Sequence, residues 1–449
     1  MTVCGIIAEY NPFHYGHLYH MEKSRQLSGA DYIIVVLSGS FVQRGSPAFV
    51  DKYMRTRMAL EAGADLVIEL PAIFSCASAE AFAGAGVSLL DQLGVTDYLS
   101  FGTETESLEP LSEAARILAK EPPEFSAVLN DCLKEGLSFP KARETALKSC
   151  LFPFYDSYCP KRFQTKQVSS VLSSPNNILA LEYLKALQRR RSSIRPVAVP
   201  RAGADYHSQN PDEPLCSASA IRAYLTSAAS IKANTDAPAF HSADNPAGSH
   251  SMAARPQIPA HMMPSLCARL LMESWQDTCP LLTDDFSPML SYQLLACRDQ
   301  GYTRYLDVSE ELSRRILRHA LDYHSFTEWT NLLKTKQYAY TRISRALCHI
   351  LLRIPQDTAD RCRDDGYTDY ARILGFRKNS SPLLSAIKKN SSIPMITKMA
   401  DADAILSPMG KSVLRTELFA SRLYTAAQRQ KFPSCPRLPD DYTAGIIII

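Results

Sequence analysis

The first seventeen residues constrain the fold of this chain more strongly than any other stretch. Residues 3–8 are almost all apolar, which is typical of a strand buried on both faces of a parallel sheet. Asn11-Pro12 then favours a turn, and the pattern predicts a helix over residues 16–27. His14 and His17 fall at the start of that helix, where unpaired backbone N–H groups and the helix dipole favour an anion.

The two histidines, together with Gly16, predict a site for a nucleotide triphosphate. Imidazoles can donate hydrogen bonds to phosphate, and a glycine leaves room for the backbone to approach a bulky ligand. The alternative interpretation is a pair of surface histidines after a turn. Their position directly behind an apolar strand favours the ligand site.

The succession of an apolar strand, a turn and H-x-G-H resembles the signature of the nucleotidyltransferase superfamily, which includes adenylyltransferases and class I aminoacyl-tRNA synthetases. The resemblance implies that His14 and His17 are catalytic residues. In that superfamily they stabilise charge on the phosphates while a nucleophile attacks the α-phosphorus and pyrophosphate leaves.

Further apolar segments alternate with helical segments through the first half of the chain. Strands are predicted at residues 32–37, 65–71, 98–101 and 195–199. The β-α-β-α alternation predicts an α/β fold with a doubly wound parallel sheet.

Composition and periodicity then divide the chain. We expect a Rossmann-like nucleotidyltransferase domain that binds ATP over residues 1–225, with a helical insertion at 107–150. Residues 226–262 are rich in Ala, Ser, Pro, Asn and His without periodicity, which predicts a flexible linker. Few strand signals follow, so residues 263–449 are predicted to form a mainly α-helical C-terminal domain.

Polar residues and glycines follow the predicted strands, at the sheet edge where ligands bind in open α/β folds. Gln43 and Arg44 come after the second strand, where the alternative is an ordinary connection. Lys52 and Arg55 lie at the start of the next predicted helix, and cations there indicate a nearby anion or a solvated face. Gly102 follows the fourth strand.

Two later segments add polar candidates. Asn176 begins a predicted helix, which it either caps or extends toward the nucleotide. Residues 216–222 resemble the I-S-S-T-x-I-R element of adenylyltransferases, whose hydroxyls and arginine meet the triphosphate at a helix N-terminus. The candidate phosphate or acetate contacts are Gln43, Arg44, Lys52, Arg55, Ser217, Ser219 and Arg222.

The formal net charge is only +3, so any nucleic-acid surface has to be local. Residues 332–353 and 371–400 are basic and contain no carboxylate, and tyrosines interleave the first segment. They predict a surface for RNA phosphates and stacked bases, the alternative being basic solvated helix faces. The candidate tRNA contacts are Lys334, Lys336, Tyr338, Arg342, Arg345, Arg377, Lys378, Lys388 and Lys389.

Twelve cysteines occur without a C-x-x-C pair, which argues against a structural zinc site or a disulfide framework. No apolar run approaches the roughly 20 residues that a membrane span requires. We therefore expect a cytoplasmic protein that does not associate with membranes.

Six motifs in order resemble those of the tRNA(Met) cytidine acetate ligase family. They are E-Y-N-P-F-H-x-G-H at 9–17, S-G-x-F-x-Q-R-G-x-P at 38–47, D-L-V-I-E-L-P at 65–71, F-G-x-E at 101–104, P-N-N-I-L at 175–179 and K-T-K-x-Y at 334–338. The resemblance implies an enzyme that joins acetate to ATP, giving acetyl-adenylate and pyrophosphate. It then transfers the acetyl group to N4 of the wobble cytidine of elongator tRNA(Met).

Carried over position by position, the resemblance also implies the residues that bind ATP. Tyr15 stands where an asparagine is more usual between the histidines. The implied ATP contacts are Ile7, Ala8, Glu9, Tyr10, Asn11, Pro12, Phe13, His14, Tyr15, Gly16, His17, Leu18, Tyr19, His20, Gly102, Asn176 and Arg201.

Two other functions stay open at this point. One is a nucleotide adenylyltransferase that acts on a phosphorylated small molecule, and the other is an RNA-binding protein without catalysis. Mg²⁺ that accompanies the triphosphate is compatible with either enzyme. No carboxylate cluster predicts a fixed metal site, and nothing in the sequence indicates an obligate protein partner.

Overall fold

The computed structural model describes residues 1–105, 107–158, 174–201, 215–227, 256–436 and 438–449. Most of the predicted linker, residues 228–255, lies outside the described residues. Within them, no helix is both long and apolar enough to cross a membrane.

The strands form one large sheet and a short hairpin. The strand order of the large sheet is β10-β8-β5-β2-β1-β6-β7, with β9 paired to β8. Strands β3 and β4 form the hairpin. The strands of the described residues are β1 Val3–Ala8, β2 Tyr32–Ser38, β3 Phe41–Val42, β4 Ser46–Pro47, β5 Leu66–Leu70, β6 Tyr98–Thr103, β7 Arg195–Pro200, β8 Ala371–Phe376, β9 Met395–Ile396 and β10 Ile447–Ile448.

Within the large sheet, the strands from the first half of the chain are parallel, as predicted. Strand β1 pairs with β2 on one side and with β6 on the other. The strand order therefore reverses between β1 and β6, and the crevice at the carboxyl ends of strands beside such a reversal is where open α/β sheets bind ligands.

Helices cover both faces of this sheet and make up most of the C-terminal region, which confirms the predicted fold class. Those of the described residues are α1 Tyr15–Ser28, α2 Lys52–Glu61, α3 Ala72–Ser75, α4 Ala79–Gln92, α5 Glu109–Lys120, α6 Pro123–Lys134, α7 Phe139–Tyr158, α8 Pro175–Arg190, α9 Ala218–Thr226, α10 Ser265–Glu273, α11 Ser287–Ala296, α12 Glu310–Arg318, α13 Phe326–Leu333, α14 Tyr340–Leu351, α15 Gln356–Asp364, α16 Ser381–Asn390, α17 Ala402–Ile405 and α18 Pro408–Lys431.

Alternate residues of the central strands enter different cores, as expected for strands buried on both faces. Along β2, Ile34 and Val36 pack into the core that contains α4, α8 and the C-terminal helices. Ile33 and Val35 pack into the core that contains α2, α9 and α10. This period of two explains why the strand sequence is apolar throughout.

The predicted division at residues 225 and 263 does not separate the sheet. Strand β8 pairs antiparallel with β5, so residues from the second half of the chain extend the N-terminal sheet. Residues 371–376 are mostly apolar, which is typical of a strand, but they lie within the basic segment 371–400 that predicts an RNA surface. Arg372, inside β8, is 4% exposed and therefore belongs to the core.

Candidate functional site

A cavity opens at the carboxyl ends of β1, β6 and β7, beside the reversal in strand order. Its wall includes residues from α1, α8 and α9 and from the segment that joins β3 and β4. The loop after the second strand contributes Gln43 and Arg44 to this wall.

Most of the residues implied to bind ATP line this cavity. They are Ile7, Ala8, Glu9, Tyr10, Asn11, His14, Gly16, His17, Tyr19, His20, Gly102, Asn176 and Arg201. Four others do not line it, namely Pro12, Phe13, Tyr15 and Leu18. Phe13 is fully buried and packs edge-on against Tyr10, so it belongs to the core beneath the loop that follows β1.

The two histidines are joined to the start of α1 by reciprocal hydrogen bonds. His14 is the N-cap residue, and its Nδ1 accepts the Gly16 N–H at 3.0 Å. The Nδ1 of His17 accepts the His14 N–H at 3.3 Å. Because both Nδ1 atoms are acceptors, each neutral ring carries its proton on Nε2.

This capping changes the predicted chemistry of the helix start. We expected unpaired backbone N–H groups to face an anion, but the imidazoles take up the N–H groups of His14 and Gly16. The rings lie with their centroids 3.8 Å apart. The donors that remain on the two rings are their Nε2–H groups.

The histidines are neutral near pH 7. Burial lowers the pKa of His14 to about 3, and the nearby guanidinium groups of Arg201 and Arg222 add to the effect. The pKa of His17 is well below its usual range, again through burial first. Burial lowers the pKa of His20 to about 4. The rings are therefore uncharged, and the positive charge at the cavity comes from arginine.

Gly16 lines the cavity, and its α-carbon packs against the His14 ring. A Cβ built on Gly16 would lie 2.8 Å from Cε1 of His14. The missing side chain makes room for the imidazole rather than for a ligand. At Gly102 the opposite holds, since a Cβ there would meet its nearest atom, Cγ of Arg201, at 3.9 Å. Gly102 therefore leaves open space in the cavity wall.

The predicted Ser/Arg element also reaches the cavity, at the start of α9. Ser217 is the N-cap residue and accepts the Ala220 N–H at 3.0 Å, and its hydroxyl lies 3.2 Å from that of Ser219. Arg222 donates to the carbonyl oxygen of Asn11 at 2.6 Å. Helix α9 is thereby tied to the loop between β1 and the histidines.

Asn176 lines the cavity but does not cap α8, because Ser174 occupies the N-cap position. Its Nδ2 donates to Oε1 of Glu104 at 2.7 Å. The next residue, Asn177, is buried and accepts the backbone N–H of Glu104 at 3.0 Å. The two asparagines fix the segment after β6, and the sequence had pointed only to the first.

The structure contradicts the prediction that Lys52 and Arg55 contact phosphate or acetate. The Nζ of Lys52 forms ion pairs with Glu69 at 2.6 Å and Asp441 at 2.8 Å, in the core. Arg55 is fully buried and donates to backbone carbonyl groups, including that of Glu9 at 2.7 Å. Neither side chain lines the cavity.

The predicted tRNA contacts fall into two groups. The prediction that Tyr338 contacts tRNA is wrong. Its side chain is 7% exposed and its hydroxyl lies 2.7 Å from that of Ser309, so its ring cannot stack on a base. Arg342 is half-buried over that ring. The Nε of Arg345 lies 3.4 Å from Oδ2 of Asp307, and the Nε of Arg377 donates to the backbone carbonyl oxygen of Leu60. The exposed members are Lys334, Lys336, Lys378, Lys388 and Lys389.

Sequence reasoning missed the apolar part of the cavity wall. Phe82, Phe101, Leu179 and Tyr183 line it, and the rings of Phe101 and Tyr183 lie 5.6 Å apart. These residues resemble ordinary core positions of a strand and two helices, so only the topology places them beside the histidines. Among the described residues, no group of three or more His, Cys, Asp or Glu side chains is arranged to hold a metal ion.

Comparisons with known proteins agree with this geometry. Residues 1–435 match the family described as HIGH Nucleotidyl Transferase. A tRNA(Met) cytidine acetate ligase of Acetivibrio thermocellus is 37% identical over 450 residues, which is 100% of both chains. The chain belongs to the tRNA(Met) cytidine acetate ligase family. This membership confirms the resemblance that the six motifs indicated.

Other members give the same result. A family member of Clostridium perfringens is 36% identical over 427 residues, 95% of each chain. The crystal structure of Thermotoga maritima TmcAL bound with alpha-thio ATP superposes with a TM-score of 0.84 at 28% identity, covering 100% of this chain and 99% of that one. The family likeness therefore extends over the whole fold.

Proposed function

We propose that this protein is an ATP-dependent ligase that acetylates tRNA. It activates acetate as acetyl-adenylate with release of pyrophosphate, and then transfers the acetyl group to N4 of the wobble cytidine of elongator tRNA(Met). The observation that carries the proposal is the pair of Nε2–H donors beside three arginines in a cavity at the reversal of strand order.

The first step needs positioning and charge stabilisation more than proton transfer. Acetate is a weak nucleophile, so its oxygen has to be held in line with the α-phosphorus while pyrophosphate leaves. His14 and His17 donate hydrogen bonds to phosphate oxygens without being charged themselves. Arg44, Arg201 and Arg222, which line the same cavity, supply the positive charge that the leaving pyrophosphate requires. Mg²⁺ accompanies the triphosphate as part of the substrate.

The aromatic part of the wall suits the base of the nucleotide. Phe82, Phe101 and Leu179 offer apolar surface, and Gly102 leaves the space next to Arg201 open. A purine ring gains stacking and apolar contact there while its triphosphate extends toward the histidines.

The second step needs the wobble base inside this cavity. Cytosine N4 is a poor nucleophile, so the base has to be unstacked and brought to the mixed anhydride. Residues 1–225 form the site at which the reaction takes place, and residues 263–449 bind the tRNA. The exposed lysines Lys334, Lys336, Lys378, Lys388 and Lys389 contact tRNA phosphates, because they are basic, accessible and free of neighbouring carboxylates in sequence.

One experiment tests the proposal. Purified protein is incubated with ATP, labelled acetate and bulk tRNA, and the tRNA is digested to nucleosides. We expect the label in N4-acetylcytidine alone, together with pyrophosphate exchange that depends on acetate. Exchange that depends instead on a phosphorylated small molecule, with unlabelled tRNA, would identify an adenylyltransferase and contradict the proposal.

A further inference from the structure

Glu9 places a carboxylate in a cavity that otherwise suits anions. Of the described residues that line the cavity, it is the only Asp or Glu, and Arg44, Arg201 and Arg222 line the same space. Both substrates of the first step, ATP and acetate, are anions, so a carboxylate near them opposes their binding. Its presence calls for a partner that donates a hydrogen bond.

The side chain is held in place by its surroundings. Glu9 follows β1 directly, and its backbone carbonyl oxygen accepts a hydrogen bond from the buried Arg55 guanidinium at 2.7 Å. Its Oε1 accepts the backbone N–H of Gln43 at 3.0 Å. Within the described part of the chain, no hydrogen bond engages Oε2. One carboxylate oxygen is thus fixed and the other is available in the cavity.

The substrate of the second step supplies the missing donor. Acetate has no N–H group, and the reacting end of ATP has none either, whereas cytosine N4 carries two hydrogens. Asp and Glu side chains accept hydrogen bonds from this amine when proteins read cytosine. A carboxylate that is unfavourable for the first step is therefore suited to the second.

On the basis of the proposed function, we infer that Glu9 accepts a hydrogen bond from N4 of the target cytidine and takes the proton that N4 loses. As N4 attacks the acetyl carbonyl carbon, a C–N bond forms. The C–O bond to the phosphate of the adenylate breaks, and AMP leaves with that electron pair. The amine becomes strongly acidic once it is bonded to carbon, and its proton passes to Oε2 and then to water.

The test separates the two steps. Glu9→Gln keeps an oxygen that can accept the Gln43 N–H but removes the charge and the proton acceptor. In single-turnover assays at saturating tRNA, we expect transfer from acetyl-adenylate to fall about 100-fold or more. Acetate-dependent pyrophosphate exchange, which involves no proton, is expected to fall less than about tenfold. Glu9→Asp, which retains a carboxylate on a shorter side chain, is expected to recover part of the transfer rate.

Glu22→Gln is the matched control, because it removes the same charge from an exposed position on α1. It is expected to behave as the wild type in both assays. Equal losses of exchange and transfer in Glu9→Gln would overturn the inference and assign Glu9 to the nucleotide, for example to an adenine or ribose donor. Unchanged transfer would overturn it as well. A wild-type protein that exchanges pyrophosphate but never acetylates tRNA would contradict the proposed function itself.

Discussion

Two charged regions of this protein differ in the residues that surround their cations. The ion cluster, formed by Lys52, Glu69, Arg372, Glu417 and Asp441, is buried and joins segments distant in sequence. Lys52 contacts all three carboxylates, and Arg372 contacts Glu69 at 2.8 Å and Asp441 at 2.6 Å. Among the described residues, the cavity wall instead contains three arginines, one carboxylate and three neutral histidines.

The difference lies in the balance of charge. In the ion cluster, burial and the neighbouring Glu69 raise the pKa of Glu417 to about 8, so this carboxyl group retains its proton near neutral pH. Two cations then face two carboxylates, so the charges within the cluster balance. Among the described residues that line the cavity, arginines outnumber carboxylates. In the ion cluster, by contrast, both cations pair with carboxylates of the core.

The largest expected effect is on stability and comes from the ion cluster. Lys52→Met leaves buried carboxylates without their shared cation, so the free energy of unfolding should fall by about 3–5 kcal/mol. Urea denaturation measures this change, and Lys134→Met, at a position exposed by 79%, is the control. ATP affinity at a temperature where the variant is folded should change less than twofold. A tenfold loss of affinity would instead place Lys52 in the ligand site.

The second effect is on catalysis and comes from the cavity. His17→Ala removes one Nε2–H donor, and acetate-dependent pyrophosphate exchange should fall by about 10²–10³-fold, as for loss of an oxyanion donor. The variant also loses the acceptor for the His14 N–H. Ser325→Ala removes a comparable cap from α13, far along the chain, and should change stability by about 1 kcal/mol with normal exchange. Equal activities of the two variants would contradict the role of His17.

Only some of the features behind these predicted effects can be inferred from the sequence. The strand, the turn and H-x-G-H are local, so they predicted the sheet edge at which the structure places the two histidines. The role of Lys52 depends on Glu417, which lies 365 residues away, so it could not be read from local pattern. The tautomer of the histidines likewise follows from hydrogen-bond geometry, and the burial of Tyr338 from packing. Local chemistry was predictable, whereas long-range partners were not.

The two regions should respond to pH in opposite directions. The pKa of His20 is lowered from 6.5 to about 4 in the folded protein, so its contribution to stability is full above pH 6.5 and is lost as pH falls through about 4. The pKa of Glu417 is raised from 4.5, so its contribution is full below pH 4.5 and is lost as pH rises through about 8. Each group changes the free energy of unfolding by up to about 1.4 kcal/mol per pH unit.

Unfolding midpoints measured from pH 4 to pH 9 check these signs. His20→Gln should reduce the loss of stability on the acidic side, and Glu417→Gln should reduce the loss on the alkaline side. Each substitution should leave the other limb unchanged. A wild-type stability curve that both variants reproduce would contradict the assigned protonation states.

A smaller effect distinguishes the two glycines of the cavity. Gly102→Ala adds a methyl group to open space, so stability should change by less than about 1 kcal/mol while the KM for ATP rises severalfold. Gly16→Ala places the methyl group against the His14 ring, so it should lower the rate of exchange more than the affinity for ATP. Steady-state exchange kinetics separate the two outcomes, and identical kinetic changes would contradict the contrast.

The smallest effect concerns cations that neither region contains. Lys388→Ala and Lys389→Ala remove exposed charges, so each should raise the KM for tRNA a few-fold and lower the salt dependence of tRNA binding by about 0.7–0.9 in the logarithmic slope. Pyrophosphate exchange without tRNA should not change. Filter binding across salt concentrations measures the slope. An unchanged slope would remove these lysines from the tRNA surface.

A crystal structure of this protein with a non-hydrolysable ATP analogue tests the central claim most directly. We expect triphosphate oxygens within about 3 Å of Nε2 of both His14 and His17, with both Nδ1 atoms still bonded to backbone N–H groups. We also expect an ion cluster that is unchanged by the nucleotide. A triphosphate bound at Lys52, or bound in the cavity without contact to either imidazole, would contradict the account.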